Sequence, residues 1–236
     1  MKIEVWSDYV CPFCYIGKRR LEHALKQLGL EEKSEVIFKA YQLDPNTPVA
    51  SDQSVVERLA GKYNVSKTEA KNMLNNIEEQ AKSVELHYQV DKMRTSNTLD
   101  AHRLAKFAGK HGVEKEVTER LLHGYFVEGE RIDTEEVLVA IATEAGLDAN
   151  KTREMLHSNN FEDEVKNDIK EAQEIGVQGV PFFVINRKYA ISGAQPTEAF
   201  VEALEKIAEE EGMAKPKLQV LGTNDGGQCD DETCDI

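Results

Sequence analysis

Long apolar runs are missing from this sequence. None of its 236 residues belongs to an uninterrupted apolar stretch of about eighteen, which excludes a membrane-spanning helix. Basic charge is also scarce: 29 Lys and Arg stand against 43 Asp and Glu, a formal charge of −14 that repels a phosphate backbone. Nucleic acid and anionic membrane surfaces are therefore excluded as partners. The opening Met1-Lys2-Ile3-Glu4-Val5-Trp6 lacks a basic-then-apolar leader, so a cytoplasmic location is expected. Internal repeats and low-complexity blocks are absent too. Four cysteines are too few to staple a scaffold. What is present, 40% hydrophobic and 31% charged residues, describes a soluble globular chain of one large domain or two small ones.

The apolar pattern divides the chain. Ile3, Val5 and Trp6 mark a strand over 2–7. Ile16, Leu21, Ala24, Leu25 and Leu28 recur at helical spacing over 11–28, with Gly29 as a stop, and Glu35 to Tyr41 reads as a second strand. A strand, a helix and a strand at this distance predict a parallel pair with a crossover helix. After the turn-rich Asp44-Pro45-Asn46-Thr47-Pro48, helical faces follow one another to Gly176. They are marked by Met73, Leu74, Ile77, Ala81 and Val84, then by Ala101, Leu104, Ala105 and Ala108. Val117, Leu121, Leu122 and Tyr125 continue the series, as do Val137, Leu138, Ile141 and Ala142, then Phe161, Val165, Ile169 and Ala172. A hairpin, Pro181 to Ile185 and Tyr189 to Ile191 about Asn186-Arg187-Lys188, precedes a last helix carrying Phe200, Val201, Leu204 and Ile207. The expected fold class is α/β: one small mixed sheet built from both ends of the chain, with a large all-helical insertion. The expected units are 1–43 with 177–212, an inserted block at 44–176 whose last helix could be counted with either part, and a flexible acidic tail at 213–236.

Cys11-Pro12-Phe13-Cys14 lies where the first strand hands over to the first helix. Backbone N–H groups of a first helical turn have no internal partner, and the helix dipole is positive there, so a thiolate at Cys11 is stabilised. Pro12 suits that turn because it has no N–H to orphan. Cys14 lies one turn deeper, so Cys11 would attack a disulfide and Cys14 would resolve the mixed disulfide. Zinc sites use the same spacing, but at a strand-to-helix junction the motif reads as thioredoxin-like.

Together with Gly179-Val180-Pro181-Phe182-Phe183, the chain resembles the DsbA-like branch of the thioredoxin superfamily, and within it the cytoplasmic FrnE-type proteins. The likeness rests on Val5-Trp6-Ser7-Asp8 before the cysteines, Asn97-Thr98 with Ala101-His102-Arg103-Leu104, and Tyr125-Phe126-Val127-Glu128-Gly129. Glu144-Ala145-Gly146-Leu147, Gly176 to Pro181 and Ile191-Ser192-Gly193-Ala194-Gln195-Pro196 extend it. The resemblance implies a thioredoxin fold with a helical insertion, thiol–disulfide exchange with Cys11 and Cys14 as the redox pair, and Pro181 as a cis-proline. Val180 would then offer its backbone to an extended substrate, with Pro12 and Phe13 beside it. Strongly oxidising relatives carry a histidine where Phe13 stands, so a milder oxidant, an isomerase or a reductase is expected. No cofactor and no metal are implied. Expected partners are proteins or small molecules bearing thiols or disulfides, and a reducing or oxidising partner.

Three other residues carry candidate roles. Asp8 could accept the Cys14 proton or cap the helix. Asn97 reads as a helix N-cap with Asp100 at capping-box spacing, and His102 as a packed histidine. Trp6 and Tyr15 read as core or groove lining, and the mixed charges of the helical block as solvated faces. The tail adds Cys229 and Cys234 among acidic residues. A flexible stretch from Met213 to Cys229 would span about 22 Å, enough to carry Cys229 to Cys11 and exchange disulfides with it. Three alternatives compete: a glutathione-dependent isomerase or transferase, a chaperone-like binding protein, and a metal-binding module made from all four cysteines. The first carries serine near the position of Cys11.

Overall fold

Strand β1 (Lys2–Ser7) is buried along five of its six positions because it lies inside the sheet, and it carries Ile3, Val5 and Trp6 into the core. In the computed structural model, which describes residues 1–213, it pairs in parallel with β2 (Glu35–Ala40). On its other side it pairs antiparallel with β3 (Phe182–Ile185), which pairs antiparallel with β4 (Tyr189–Ser192). The order is β2-β1-β3-β4. The parallel pair and the hairpin thus form as the pattern predicts, and the hairpin turns where Asn186 and Arg187 adopt φ of 51° and 55°. Cys229 and Cys234 lie outside the described residues.

The parallel pair needs a crossover, and α1 (Pro12–Leu28) supplies it. It stops at Gly29, whose φ of 62° only a residue without Cβ adopts cheaply, and whose N–H meets the carbonyls of Leu25 and Lys26. Leu21, Ala24 and Leu25 pack on one sheet face with Ile3, Val5, Phe183 and Ile185. The last helix, spanning Thr197–Glu210, covers the same face through Phe200, Leu204 and Ile207.

Between β2 and β3 the chain is helical: α2 (Val55–Tyr63), α3 (Lys67–Lys82), α4 (Leu99–Lys110), α5 (Glu114–His123), α6 (Glu135–Glu144), α7 (Ala149–Leu156) and α8 (Glu162–Glu174). The last of the series in chain order, Thr197–Glu210, is α9. Ser54 with Glu57 and Ser66 with Glu69 close reciprocal capping boxes at the starts of α2 and α3. Leu104, Leu121, Leu122, Leu138 and Ile141 are almost wholly buried, each contributing about 1.5–3 kcal/mol of transfer free energy. Tyr15 and Ile16 of α1 belong to this same cluster, so α1 joins the sheet to the helices. On the other sheet face α8 packs Ala172 against Trp6 and Val184, and Trp6 Nε1 donates to Asp168 O at 2.8 Å.

Two details depart from the pattern. Met73, read as part of an apolar face, is exposed, whereas Ala70 takes its place inside. Not all charges of the helical block are solvated. Asp168 is buried between Lys39 at 2.9 Å and Lys106 at 2.6 Å, and also accepts Ala40 N at 2.9 Å. Arg103 is equally buried: it donates to Met155 O at 2.7 Å, Asn160 O at 2.9 Å, Leu156 O at 3.4 Å and Ser158 O, while Asp100 sits 2.6 Å away. It adds a charged donor at the end of α7, where Met155 O also accepts Ser158 N at 3.2 Å and Ser158 Oγ at 2.7 Å.

Arg103→Leu removes a donor that Leu156 O, Ser158 O and Asn160 O share and leaves Asp100 without its partner. Urea unfolding should show a loss of about 2–4 kcal/mol, with the rate of Cys11 alkylation in the native protein unchanged. A loss under about 0.5 kcal/mol, the size of an ordinary surface change, would mean that the carbonyls find water instead.

Candidate active site

The chain leaves β1 at Ser7, and Asp8 O accepts Cys11 N at 3.0 Å, turning it directly into α1. Cys11 is the N-cap residue, in extended conformation, and Pro12 occupies the first turn. That turn holds no acidic side chain, so nothing local competes with a thiolate for the free N–H groups. Cys14 N donates to Cys11 O at 3.0 Å. Both cysteines are free thiols and buried.

Facing them is the loop before β3. The Val180–Pro181 bond is cis, and Cys11 Sγ lies 3.4 Å from Val180 O. Pro181 O accepts Gly193 N at 2.9 Å, tying the loop to the end of β4. Gly17 allows the approach: a Cβ there would meet Pro181 Cγ at 3.0 Å and Phe183 Cζ at 3.2 Å. Val180, Pro181 and the two cysteines are thus brought together from opposite ends of the chain.

The two thiols differ. Burial pushes the Cys14 thiol well above its ordinary value, and the neighbouring Cys11 sulfur adds to the shift. The Ser7 hydroxyl and the Asp8 N–H partly offset it. The Asp8 side chain makes no cap bond to α1. Its Oδ2 accepts Leu43 N at 2.7 Å, while Oδ1 has no hydrogen-bond partner among the described residues and lies 3.6 Å from His102 Nε2. His102 is buried, stands 3.0 Å from Tyr41 O and packs on the Tyr9 ring with centroids 4.7 Å apart. Asn97 sits one residue before the cap, which is Thr98. Its Oδ1 accepts Leu99 N at 3.0 Å and its Nδ2 donates to Thr47 O at 2.8 Å. Asp100 turns to Arg103 instead of closing a capping box. Asp8, His102 and Asn97 thereby hold the chain after β2 against the site.

Tyr88 escaped the sequence reading. Its hydroxyl donates to Pro12 O at 2.8 Å, inside the dicysteine motif, and its ring stacks on Phe126 with centroids 4.6 Å apart. It lies in an irregular stretch where no periodicity marks it. Beside Cys11, Pro12 and Phe13 opens a groove of about 330 Å³, walled by α2, α3 and the segments around Tyr88 and Phe126. Among the described residues no three His, Cys, Asp or Glu side chains group closely enough to hold a metal ion.

Residues 2–205 match the DSBA-like thioredoxin domain. A probable DsbA oxidoreductase from Streptomyces coelicolor is similar in structure, with a TM-score of 0.84 and 34% sequence identity, over 100% of this chain and 99% of that one. The cytosolic disulfide reductase DsbM from Pseudomonas aeruginosa, solved with GSH, has the same fold at a TM-score of 0.62 and 14% identity, over 89% of this chain and 100% of its own. The uncharacterized protein YwbO of Bacillus subtilis (strain 168) is 43% identical over 44 residues, 19% of this chain. That match spans only 20% of the length of this curated relative.

The asymmetry of the thiols predicts an order of alkylation. In reduced protein near neutral pH, iodoacetamide should modify Cys11 first. A raised pKa keeps Cys14 protonated and unreactive, so its labelling should rise only as pH climbs past about 8.5, the ordinary thiol value. Peptide mapping that finds Cys14 modified before Cys11 would reverse the assignment of the nucleophile.

Proposed function

The chain belongs to the DsbA-like thioredoxin domain family of thiol–disulfide oxidoreductases, and we propose that within it Cys11 is the attacking thiol and Cys14 the resolving one. The observation that carries this reading is the meeting of Cys11, at the N-cap of α1, with the Val180 carbonyl beside the cis-Pro181 loop. Cys11 thiolate attacks one sulfur of a substrate disulfide, forming a mixed disulfide and expelling the first substrate thiol. Cys14, once deprotonated, attacks Cys11 Sγ and expels the second. Two electrons pass from the dithiol to the substrate, and the reverse sequence oxidises a substrate dithiol. The Val180 backbone receives extended chain on the substrate side, with Pro12 and Phe13 alongside.

Phe13 offers no positive charge or hydrogen bond to the Cys11 thiolate, which favours a mild couple able to serve as isomerase or reductase according to its partner. Substrates are proteins or small molecules bearing disulfides, and the working compartment is the cytoplasm. The Cys229/Cys234 pair, outside the described residues, is a second redox centre that takes the disulfide from the active site. The acidic neighbours in its sequence disfavour thiolate there, so this transfer accelerates as pH rises.

Equilibration with glutathione redox buffers tests the assignment. Cys11→Ser should lose disulfide exchange. Cys14→Ser should accumulate a mixed disulfide at Cys11, and the wild-type potential should fall between about −270 and about −120 mV, the values of a reductase and a strong oxidant. Retention of full activity in Cys11→Ser would sink the reading.

Trapping in Cys14→Ser also tests the tail. Mass spectrometry should find Cys11 linked to Cys229 or Cys234 within one chain, and truncation at residue 228 should change the re-reduction rate. If only intermolecular adducts form and truncation alters no rate, the tail pair is a bystander.

A further inference from the structure

The groove beside Cys11 is built differently on its wall, its floor and its rim. Apolar side chains form the wall: Val55 and Leu59 from α2, Leu74 and Ile77 from α3, then Tyr88 and Phe126. The polar part is buried and incompletely bonded. Asp8 is 1% exposed and Thr95 7%, both line the groove, and Asp8 Oδ1, 3.6 Å from His102 Nε2, and Thr95 Oγ1 have no hydrogen-bond partner among the described residues. A buried oxygen left in this state costs free energy that an incoming donor recovers. Four charged side chains line the groove: Asp8, Asp44, Arg58 and Lys62. Asp44 and Arg58 form an ion pair with each other. Lys62, exposed at the rim near the Tyr63 ring, has no ion pair among the described residues. In a chain of charge −14, the free charge at this mouth is positive.

A volume of about 330 Å³ falls within the usual range of small-molecule sites and is too small for a folded partner. The walls come from several separate segments of the chain, which close the space on more than one side. The chemistry of the lining defines an occupant with a compact apolar body, a polar group reaching inward and a negative charge facing out. Its sulfur would lie at the Cys11 end.

Resting on the disulfide-exchange reading, we propose that this groove is the binding pocket for one half of a low-molecular-weight disulfide, an aromatic-sized thiol that carries a carboxylate. The ring lies among Leu59, Ile77, Tyr88 and Phe126. A hydroxyl or amine on it donates to Asp8 Oδ1, and the carboxylate faces Lys62. Cys11 then attacks the sulfur held at the mouth, forming the Cys11–substrate bond and releasing the other half as a thiol. Cys14 closes the enzyme disulfide and releases the held half. One substrate disulfide is reduced to two thiols, and one enzyme dithiol is oxidised.

The test uses the full-length reduced protein and four disulfides: dithiodibenzoate, neutral dithiodipyridine, aliphatic hydroxyethyl disulfide, and a cysteine-containing extended peptide disulfide. Second-order rate constants are taken as ratios within each variant, which cancels any change in thiol reactivity. Each ratio is compared with the wild-type one, which cancels differences in intrinsic disulfide reactivity. Leu59→Trp fills the pocket and should lower the dithiodipyridine-to-hydroxyethyl ratio about tenfold. Lys62→Glu, a surface change on α2, should lower the dithiodibenzoate-to-dithiodipyridine ratio about fivefold, with the effect shrinking as salt is added. Unmoved ratios with exchange intact would overturn the pocket alone. So would a Leu59→Trp that slows the peptide disulfide and spares the aromatic ones, since the groove would then serve polypeptide. A wild-type protein that reacts with none of the four would remove the exchange reading, and the pocket proposal with it.

Discussion

Antiparallel pairing of β1 with β3 is the constraint on which the rest depends. In such a pair the end of one strand lies beside the start of the other. Trp6, near the end of β1, stands opposite Phe182, the first residue of β3. The residues that follow β1 and those that precede β3 must therefore leave the sheet at the same edge. One exit leads through Asp8 to Cys11, the other arrives through Val180 and Pro181. That register sets the approach of Cys11 Sγ to Val180 O, across 169 positions of sequence. Gly17 eases it sterically, because a Cβ there would meet Pro181 Cγ at 3.0 Å and Phe183 Cζ at 3.2 Å, tighter than ordinary contact.

The helices between the strands supply what the sheet cannot. A small sheet with helices on its faces leaves the strand-to-helix turn open to water. Here Tyr88 reaches in and bonds the carbonyl of Pro12, and its ring joins Tyr15 and Phe126 beneath the dicysteine turn. On the other sheet face the helices are tied down by a buried charge. Asp168 of α8 binds Lys39 of β2 and Lys106 of α4, so three elements meet on one carboxylate. Such a buried pair adds little net stability over an apolar replacement, but losing one partner leaves the other stranded, so it penalises misplacement of α8 or α4.

The two thiols occupy different places along one helix. Cys11 occupies the cap, where backbone N–H groups have no helical partner. Cys14 lies within the first turn, in the core, where the charged form is disfavoured. Position along the helix is thus what sets these two identical side chains apart, and the division of roles proposed for them rests on it.

Much of this was legible in the residues. Alternation and helical spacing specified β1, α1, β2, the hairpin and α9, since each buries its own apolar face and ends at local signals such as Gly29 and Asn186. The dicysteine at a strand-to-helix junction pointed to thiol chemistry for the same local reason. Resemblance, not periodicity, singled out Pro181 and the Asn97–Leu104 stretch. Charge pattern misled where Arg103 and Asp168 were concerned: a charged side chain is solvated by default, and only packing shows that carbonyls or lysines await it. Tyr88, Leu59 and Lys62 gave no signal, because a wall is made by residues from different segments with no common spacing. Sequence alone determined the local elements and singled out the candidate redox pair, through backbone propensity and side-chain chemistry acting over a few residues. The tertiary structure decided which carbonyl faces Cys11, what buries the two thiols and what space lies beside them, because those depend on distances between segments that the chain brings together only by folding.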